Sequence, residues 1–339
     1  MIIKNTTYGE KWGLLDPKVL ERTKNKPALS DKKAMGPIDL STIDFQNVRD
    51  GMGSPNKDLT NSQISEKSIL IQCQNRYIPA IVCRPAGEQP TLNACLYLHG
   101  GGFIGGNSST LLNQCRLIVE QANCTVISLD YRLAPETLFP GALHDSCEAV
   151  EWIVSHQEYL GFENSQIFVA GDSAGGNLAV GCGLLDENHY IKHVISIYGA
   201  LDLQKISQTL YHWDYSLYEM NKEHKNFIHT RLNKIMYITN LMRSLYIESE
   251  LVTDPLISPV YAQDFKNLPS ITLIEAEFDY FLPSNKYFAR LLQKYGKEYQ
   301  EILYKGLDHG FFDRLGYLEQ TKEACLDIAR IIKDKGAKI

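Results

Sequence analysis

The sequence has no surplus of positive charge: 34 Lys and Arg stand against 40 Asp and Glu, a formal charge of −6 over 339 residues. A chain of that balance lacks the basic field that a nucleic-acid surface requires. It also lacks a long apolar run. No segment approaches the roughly 20 residues of a membrane-spanning helix, and the opening MIIKNTTYGEKWGLLDPK has no unbroken apolar stretch of the kind that marks a secretion signal. The cytoplasm is the expected location, without membrane insertion. The eight cysteines, at 73, 83, 95, 115, 124, 147, 182 and 325, are scattered with no CxxC pair, so reduced thiols are expected rather than a disulfide framework. The nine histidines contain no HExxH, and neither a metal nor a cofactor is expected. There is no internal repeat or low-complexity tract.

What remains is an ordinary globular composition, 44% hydrophobic and 22% charged, with ample material for a buried core. Its character changes near residue 67. Residues 1–66 are polar and broken, with short apolar groups at Trp12 to Leu15 and Val19 to Leu20, and predict one or two short helices. Ser68 to Cys73 and Tyr77 to Cys83 are β-rich about a turn at Asn75 and Arg76, which predicts a hairpin. Beyond it, apolar runs at Leu92 to Leu98, Cys124 to Leu129, Gln166 to Ala170, Ile191 to Ile197, Ile271 to Ile274 and Glu301 to Tyr304 read as buried strands. Helical periodicity lies between and after them, around 109–121, 143–159, 174–185, 284–295 and 317–334. Such alternation predicts an α/β fold, a mostly parallel sheet with helices on both faces. Residues 200–252 interrupt it. There Tyr211, Trp213, Tyr215, Tyr218, Phe227, Tyr237 and Tyr246 lie among charged residues at helical spacing without a strand, so the stretch reads as an insertion.

Two glycine-rich motifs carry the chemistry. Gly171-Asp172-Ser173-Ala174-Gly175 follows one predicted strand and precedes an apolar helical stretch, the context of a GxSxG nucleophile elbow. Small residues at 171 and 175 let the turn close tightly with the Ser173 hydroxyl exposed, and the helix starting at Ala174 aims its first amides at the same point. The second motif, His99-Gly100-Gly101-Gly102-Phe103, admits two readings. Gly100, Gly102 and Gly105 satisfy GxGxxG after a strand, with Asp130 closing the next strand as a dinucleotide site requires. However, Phe103, Ile104 and Gly106 to Ser109 delay the helix, whereas a pyrophosphate site needs it to open within the glycines. A histidine followed by three glycines fits better as an oxyanion loop, whose backbone amides approach a tetrahedral intermediate.

A serine nucleophile needs a base and an acid to orient that base, in the order serine, acid, histidine along this kind of chain. Asp279 follows the strand at 271–274, and His309 follows the strand at 301–304. Both fall in loops beyond the carboxyl ends of strands, the edge where open α/β sheets build their sites. His144 and His156 belong to a predicted helix, His193 to a strand interior and His99 to the oxyanion loop. Glu275, Glu277 and Asp308 are rivals to Asp279 for the acid. Asp130, Arg132 and Glu136, together with Asp145 and Asp172, read as buried hydrogen-bonded pairs rather than catalytic groups, since an unpaired buried charge is costly.

HGGGF at 99–103, DYRLAPE at 130–136, FPGALHD at 139–145, GDSAGGN at 171–177, EFD at 277–279 and DHGF at 308–311 together resemble the hormone-sensitive-lipase-like branch (bacterial family IV) of the α/β-hydrolase superfamily. That family contains acetyl esterases and other short-chain carboxylesterases, and the resemblance spans roughly residues 67–335. It implies a triad of Ser173, Asp279 and His309, and an oxyanion hole from the amides of Gly101, Gly102 and Ala174. It also implies a catalytic core over 67–335, interrupted by 200–252, under a helical cap made of 1–66 and 200–252. Any single aromatic of the insertion is expected to serve in helix packing.

One departure stands out: family members often carry a second acid after the catalytic one, whereas Asp279 is followed by Tyr280, Phe281, Leu282 and Pro283. The expected activity is hydrolysis of small, short-acyl esters. Cleavage of an amide or formamide by the same triad is the alternative, and a ligand-binding receptor is less favoured because His309 is present. With no evident Arg or Lys clamp, neutral esters are expected. A homodimer through the last strand of the sheet is a further implication of the resemblance.

Overall fold

The computed structural model describes residues 1–337 apart from 7, 26–29, 37, 88, 249 and 250, and describes only the backbone of 32 and 35. Parts of the expected cap at 26–29, 37, 249 and 250 therefore lie outside the described residues. The strands are β1 (Ile2–Lys4), β2 (Ile64–Gln72), β3 (Tyr77–Pro85), β4 (Ala94–Leu98), β5 (Thr125–Leu129), β6 (Ile167–Asp172), β7 (Ile191–Ile197), β8 (Ser270–Phe278) and β9 (Tyr299–Asp308). The helices are α1 (Pro17–Lys24), α2 (Asp31–Met35), α3 (Phe45–Asp50), α4 (Leu112–Ala122), α5 (Gly141–Ser155), α6 (Gln157–Leu160), α7 (Ala174–Leu184), α8 (Lys225–Tyr246), α9 (Leu282–Lys294) and α10 (Glu319–Gly336).

One sheet holds all nine strands in the order β1-β9-β8-β7-β6-β4-β5-β3-β2. It is parallel except where the hairpin β2–β3 joins antiparallel to β5. Every residue of β4, β5 and β6 is buried, which is why these strands read as continuous apolar runs rather than alternating ones. α4 and α10 pack together on one side of the sheet, while α5 packs on α7 on the other. The α/β reading of the sequence is borne out, and the insertion indeed separates β7 from β8 without adding a strand among the described residues.

The difference from expectation is β1. Ile2–Lys4 pairs in parallel with β9 at Ile2 with Ile302 and Lys4 with Tyr304, so the start of the chain joins the sheet instead of the helical layer. Three residues have no periodicity to read, and only the offered edge of β9 makes them a strand. Among its described residues the following segment contains three short α-helices rather than one or two. α1 and α2 lie against α8, so the two pieces expected to form a cap do pack on each other.

Strand register sets the site. β4 pairs with β6 up to Leu98 with Gly171, and β8 pairs with β9 up to Phe278 with Asp308. The next residues in chain therefore emerge side by side: His99 beside Asp172 and Ser173, and Asp279 beside His309. Gly175 is what allows the first approach. A Cβ there would press into the Leu98 carbonyl and come within 2.7 Å of the His99 oxygen. Gly175→Ala is accordingly expected to lower the unfolding free energy by about 1–3 kcal/mol, the usual cost of overpacking, as read from urea denaturation.

Candidate active site

Ser173 occupies the junction of β6 and α7 at φ 54° and ψ −115°, a region that side chains other than glycine rarely adopt. The surroundings hold it there. Its amide donates to the Ile197 carbonyl at 2.9 Å, and its carbonyl accepts from Ala200 at 3.0 Å and Asn177 at 3.1 Å. This over-determined strain lifts Oγ off the strand ends, as a nucleophile elbow requires.

His309 Nε2 lies 2.9 Å from Ser173 Oγ, and Nδ1 lies 2.7 Å from Asp279 Oδ2. A ring nitrogen facing a carboxylate carries the proton, which leaves Nε2 free to accept from the hydroxyl. The rings of Tyr198 and Phe281 flank the imidazole at centroid distances of 4.7 and 5.6 Å and limit its rotation. Asp279 is 1% exposed. The rival acids are committed elsewhere. Glu275 pairs with Lys286, Glu277 accepts from the amides of Gly13 and Gly306, and Asp308 is held by Arg231 and Arg314. The two guanidinium groups overcome the burial that would raise the Asp308 carboxyl and leave it well below its ordinary range.

No second acid follows Asp279, and backbone and aromatic donors hold its loop. Asp279 Oδ1 accepts from the Phe281 amide at 2.9 Å, Tyr218 Oη donates to the Asp279 carbonyl at 2.8 Å, and Trp213 Nε1 donates to the Tyr280 carbonyl at 3.1 Å. Trp213 and Tyr218 come from the insertion, so these two aromatics do more than fill space. They secure the acid loop.

The HGGGF loop lies against the elbow. Asp172 Oδ1 accepts from the Gly100 amide at 2.8 Å and from Tyr97 Oη at 3.1 Å, and Tyr131 Oη donates to the His99 carbonyl at 2.6 Å. Burial, reinforced by Asp313, pushes the Asp172 carboxyl up to about 7 against the pull of the Gly100 amide. Gly101 has φ 123°, and the amides of Gly101 and Gly102 meet no acceptor among the described residues. Ala174 opens α7, so its amide has no partner within the helix. Gly101 and Gly102 line the same cavity as Ser173. α4 opens only at Leu112, and Asp130 accepts from Ser108 N and Oγ, so the glycines do not build the strand-to-helix turn of a dinucleotide site.

The other charged residues expected in buried pairs are all paired, but not all of them are buried. Asp145 is fully buried between Arg76 and Arg132, but the Arg132 side chain is 41% exposed. Glu136 is not buried at all. Its side chain is 63% exposed and takes both arms of Arg49, whose Nε donates to the Ile104 carbonyl at 2.6 Å, tying α3 to the end of the oxyanion loop. DYRLAPE lies in an otherwise apolar region, where burial is the expectation, yet its end reaches the surface.

Ser173 and His309 open into a cavity of about 270 Å3, just under the usual range of about 300–1,000 Å3 for small-molecule sites. Its walls come from residues 48–54, the HGGGF loop, the loop after β9 and one face of α8. Arg22, Arg231, Lys234 and Arg314 also line it, basic side chains where no Arg or Lys clamp was evident in the sequence. They are spread over three segments, and no local pattern announces them. Among the described residues no three His, Cys, Asp or Glu side chains converge as metal ligands, and no helix is long and apolar enough to cross a membrane.

A nine-stranded sheet with a strained serine between strand and helix, and a histidine and an aspartate returned to it by the last two strands, defines a hydrolase-type site. The chain belongs to the α/β-hydrolase fold family, whose pattern matches residues 95–313. It is similar to an arylesterase of Saccharolobus solfataricus, with 28% identity over 303 residues covering 88% of this chain and 93% of that one. An acetyl esterase of Salmonella paratyphi B is 30% identical over 263 residues, covering 74% and 75%. Among solved structures, an esterase of Pyrobaculum calidifontis superposes with a TM-score of 0.76 at 28% identity, covering 96% of this chain and all of that one.

The electrostatics of His309 can be tested directly. Burial alone would lower its pKa, but the charge and hydrogen bond of Asp279, with Asp313 and Asp172 behind, outweigh burial and raise it above the ordinary 6.5. Histidine NMR titration should therefore place His309 above 6.5 in the wild type. In Asp279→Asn, where desolvation loses its main opponent, the value should fall.

Proposed function

We propose that this chain is a serine carboxylesterase for small, short-acyl esters. The observation that carries the reading is the relay from Asp279 through His309 to Ser173 Oγ, with both bonds at 2.9 Å or less. Ser173 attacks the ester carbonyl as His309 Nε2 takes its proton, and the amides of Gly101, Gly102 and Ala174 receive the developing oxyanion. His309 returns the proton to the leaving alcohol. Water then adds to the acyl-enzyme by the same path, with Asp279 stabilising the imidazolium in each half. The names of the relatives, arylesterase and acetyl esterase, favour an ester over an amide.

The cavity accommodates a short acyl group better than a long one. Met242 stands over the oxyanion loop, where a Cβ at Gly102 would come within 3.1 Å of its Cγ. α8 with α1–α3 acts as the cap over this cavity and residues 67–335 outside 200–252 as the catalytic core, although β1 belongs to the sheet. The eight cysteines are free thiols, which suits a reducing cytoplasm. A homodimer through the last strand would have to use another edge, because β1 already covers β9.

Ser173→Ala is expected to lower kcat on an aryl acetate by about 10⁴-fold or more, given the non-additive dependence of such triads on the nucleophile. Equal rates would end the proposal. Because the base must be neutral to accept a proton, kcat/KM should rise with pH along an acid limb centred above 6.5, matching the raised pKa of His309.

A further inference from the structure

One wall of the catalytic cavity is cationic in a way that ester hydrolysis does not require. Arg314 is 5% exposed, donates Nη1 to Asp308 and Nη2 to the His309 carbonyl, and leaves Nε without a partner. Arg22, half-buried on α1, donates only to Ser54 Oγ at 3.0 Å and has no ion pair among the described residues. Burial, followed by the charges of Arg314 and Arg231, makes the Arg22 guanidinium easier to deprotonate than an ordinary one. Two of the acids nearby are already engaged: Asp308 by two arginines, and Asp172 by Gly100 and Tyr97. The third, Asp313, also lines the cavity and lies in the field of Arg314, His309, Arg22 and Lys234. A half-buried guanidinium with five donors and one neutral acceptor gains when an oxyanion reaches it.

The cationic wall has a defined side. Arg314 belongs to the same loop as His309, and Arg22, Ser54 and Arg314 line both the catalytic cavity and an adjoining groove of about 720 Å3. His309 must hand its proton to the departing alcohol, so the alcohol half of the ester occupies this side. The opposite end, under Ile235, Ile238, Leu241 and Met242 of α8, is apolar and suits the acyl group.

We propose that the substrate is a short-acyl ester of an alcohol that bears an anionic group, carboxylate or phosphate, bound by Arg22 and Arg314 at the mouth of the cavity. This rests on the esterase reading and narrows it, replacing neutral esters by anionic ones. The leaving alcohol keeps its anionic group throughout, and only the acyl–oxygen bond is broken.

The test compares kcat/KM for 4-acetoxybenzoate, 4-acetoxyphenyl phosphate and the neutral methyl 4-acetoxybenzoate in the wild type, Arg22→Gln and Arg22→Lys. The wild type should favour at least one anionic ester by about 10-fold or more, which also tells carboxylate from phosphate. The anionic-to-neutral ratio should collapse toward one in Arg22→Gln and recover in part in Arg22→Lys. Because a ratio is independent of how much of a variant is folded, a purely structural role for Arg22 would leave it unchanged, and that result would overturn the proposal. A wild-type ratio at or below one for both anions would overturn it too, while leaving the esterase reading intact. Hydrolysis of none of the three esters would overturn both.

Discussion

The site depends on how closely two parallel strand ends can approach. β4 and β6 stay in hydrogen-bonded register to Leu98 and Gly171, after which one chain turns into the glycine loop and the other into the strained elbow. Nothing larger than glycine fits at 175, because its Cα already faces the carbonyls of Leu98 and His99. A side chain there would force apart the glycine loop and the elbow that carries Ser173. Asp172 adds a second tie across the same gap through the Gly100 amide. This pair of constraints fixes the glycine loop against the elbow at the backbone level.

A similar economy operates on the far side of the sheet centre. Asp308 and His309 are sequence neighbours with opposite duties. Asp308 turns away from the serine into Arg231 and Arg314, while His309 turns toward it. Because Asp308 is neutralised by two guanidinium groups, it does not compete with Asp279 for the imidazole. The Arg231 bond also fastens α8 to the catalytic loop, and Tyr246 at the other end of α8 stacks on Phe103 of the glycine loop at 3.9 Å between centroids. The helix above the cavity is thus attached at both ends to the two loops whose chemistry it covers.

Much of this was legible in the residues. HGGGF and GDSAGGN are read from sequence because backbone geometry forces glycine at specific places, and the order of Ser173, Asp279 and His309 follows from alternating strands and helices. What was not legible shares one physical cause: it depends on tertiary contact between segments without local periodicity. Ile2–Lys4 becomes a strand only on the edge of β9. The bracing of Asp279 by Tyr218 and Trp213 links the acid loop to an insertion more than 60 residues earlier. Glu136 was expected to be buried, yet Arg49 of α3 meets it in the open.

The cationic wall is the sharpest instance. Arg22, Arg231, Lys234 and Arg314 come from the N-terminal segment, the insertion and the loop after β9, so no window of sequence contains the cluster. The net charge of −6 points the other way, but net charge sums over the whole surface, and salt screens exposed charges beyond about 8–10 Å. Inside a half-buried cavity, the few charges on the walls decide what is bound, and their interaction is strengthened by the low local dielectric. α8 carries this division along one face, with Arg231 and Lys234 toward its start and Ile235, Ile238, Leu241 and Met242 beyond them. A single helix thereby gives the cavity a polar end beside the loop of His309 and an apolar end over Gly102.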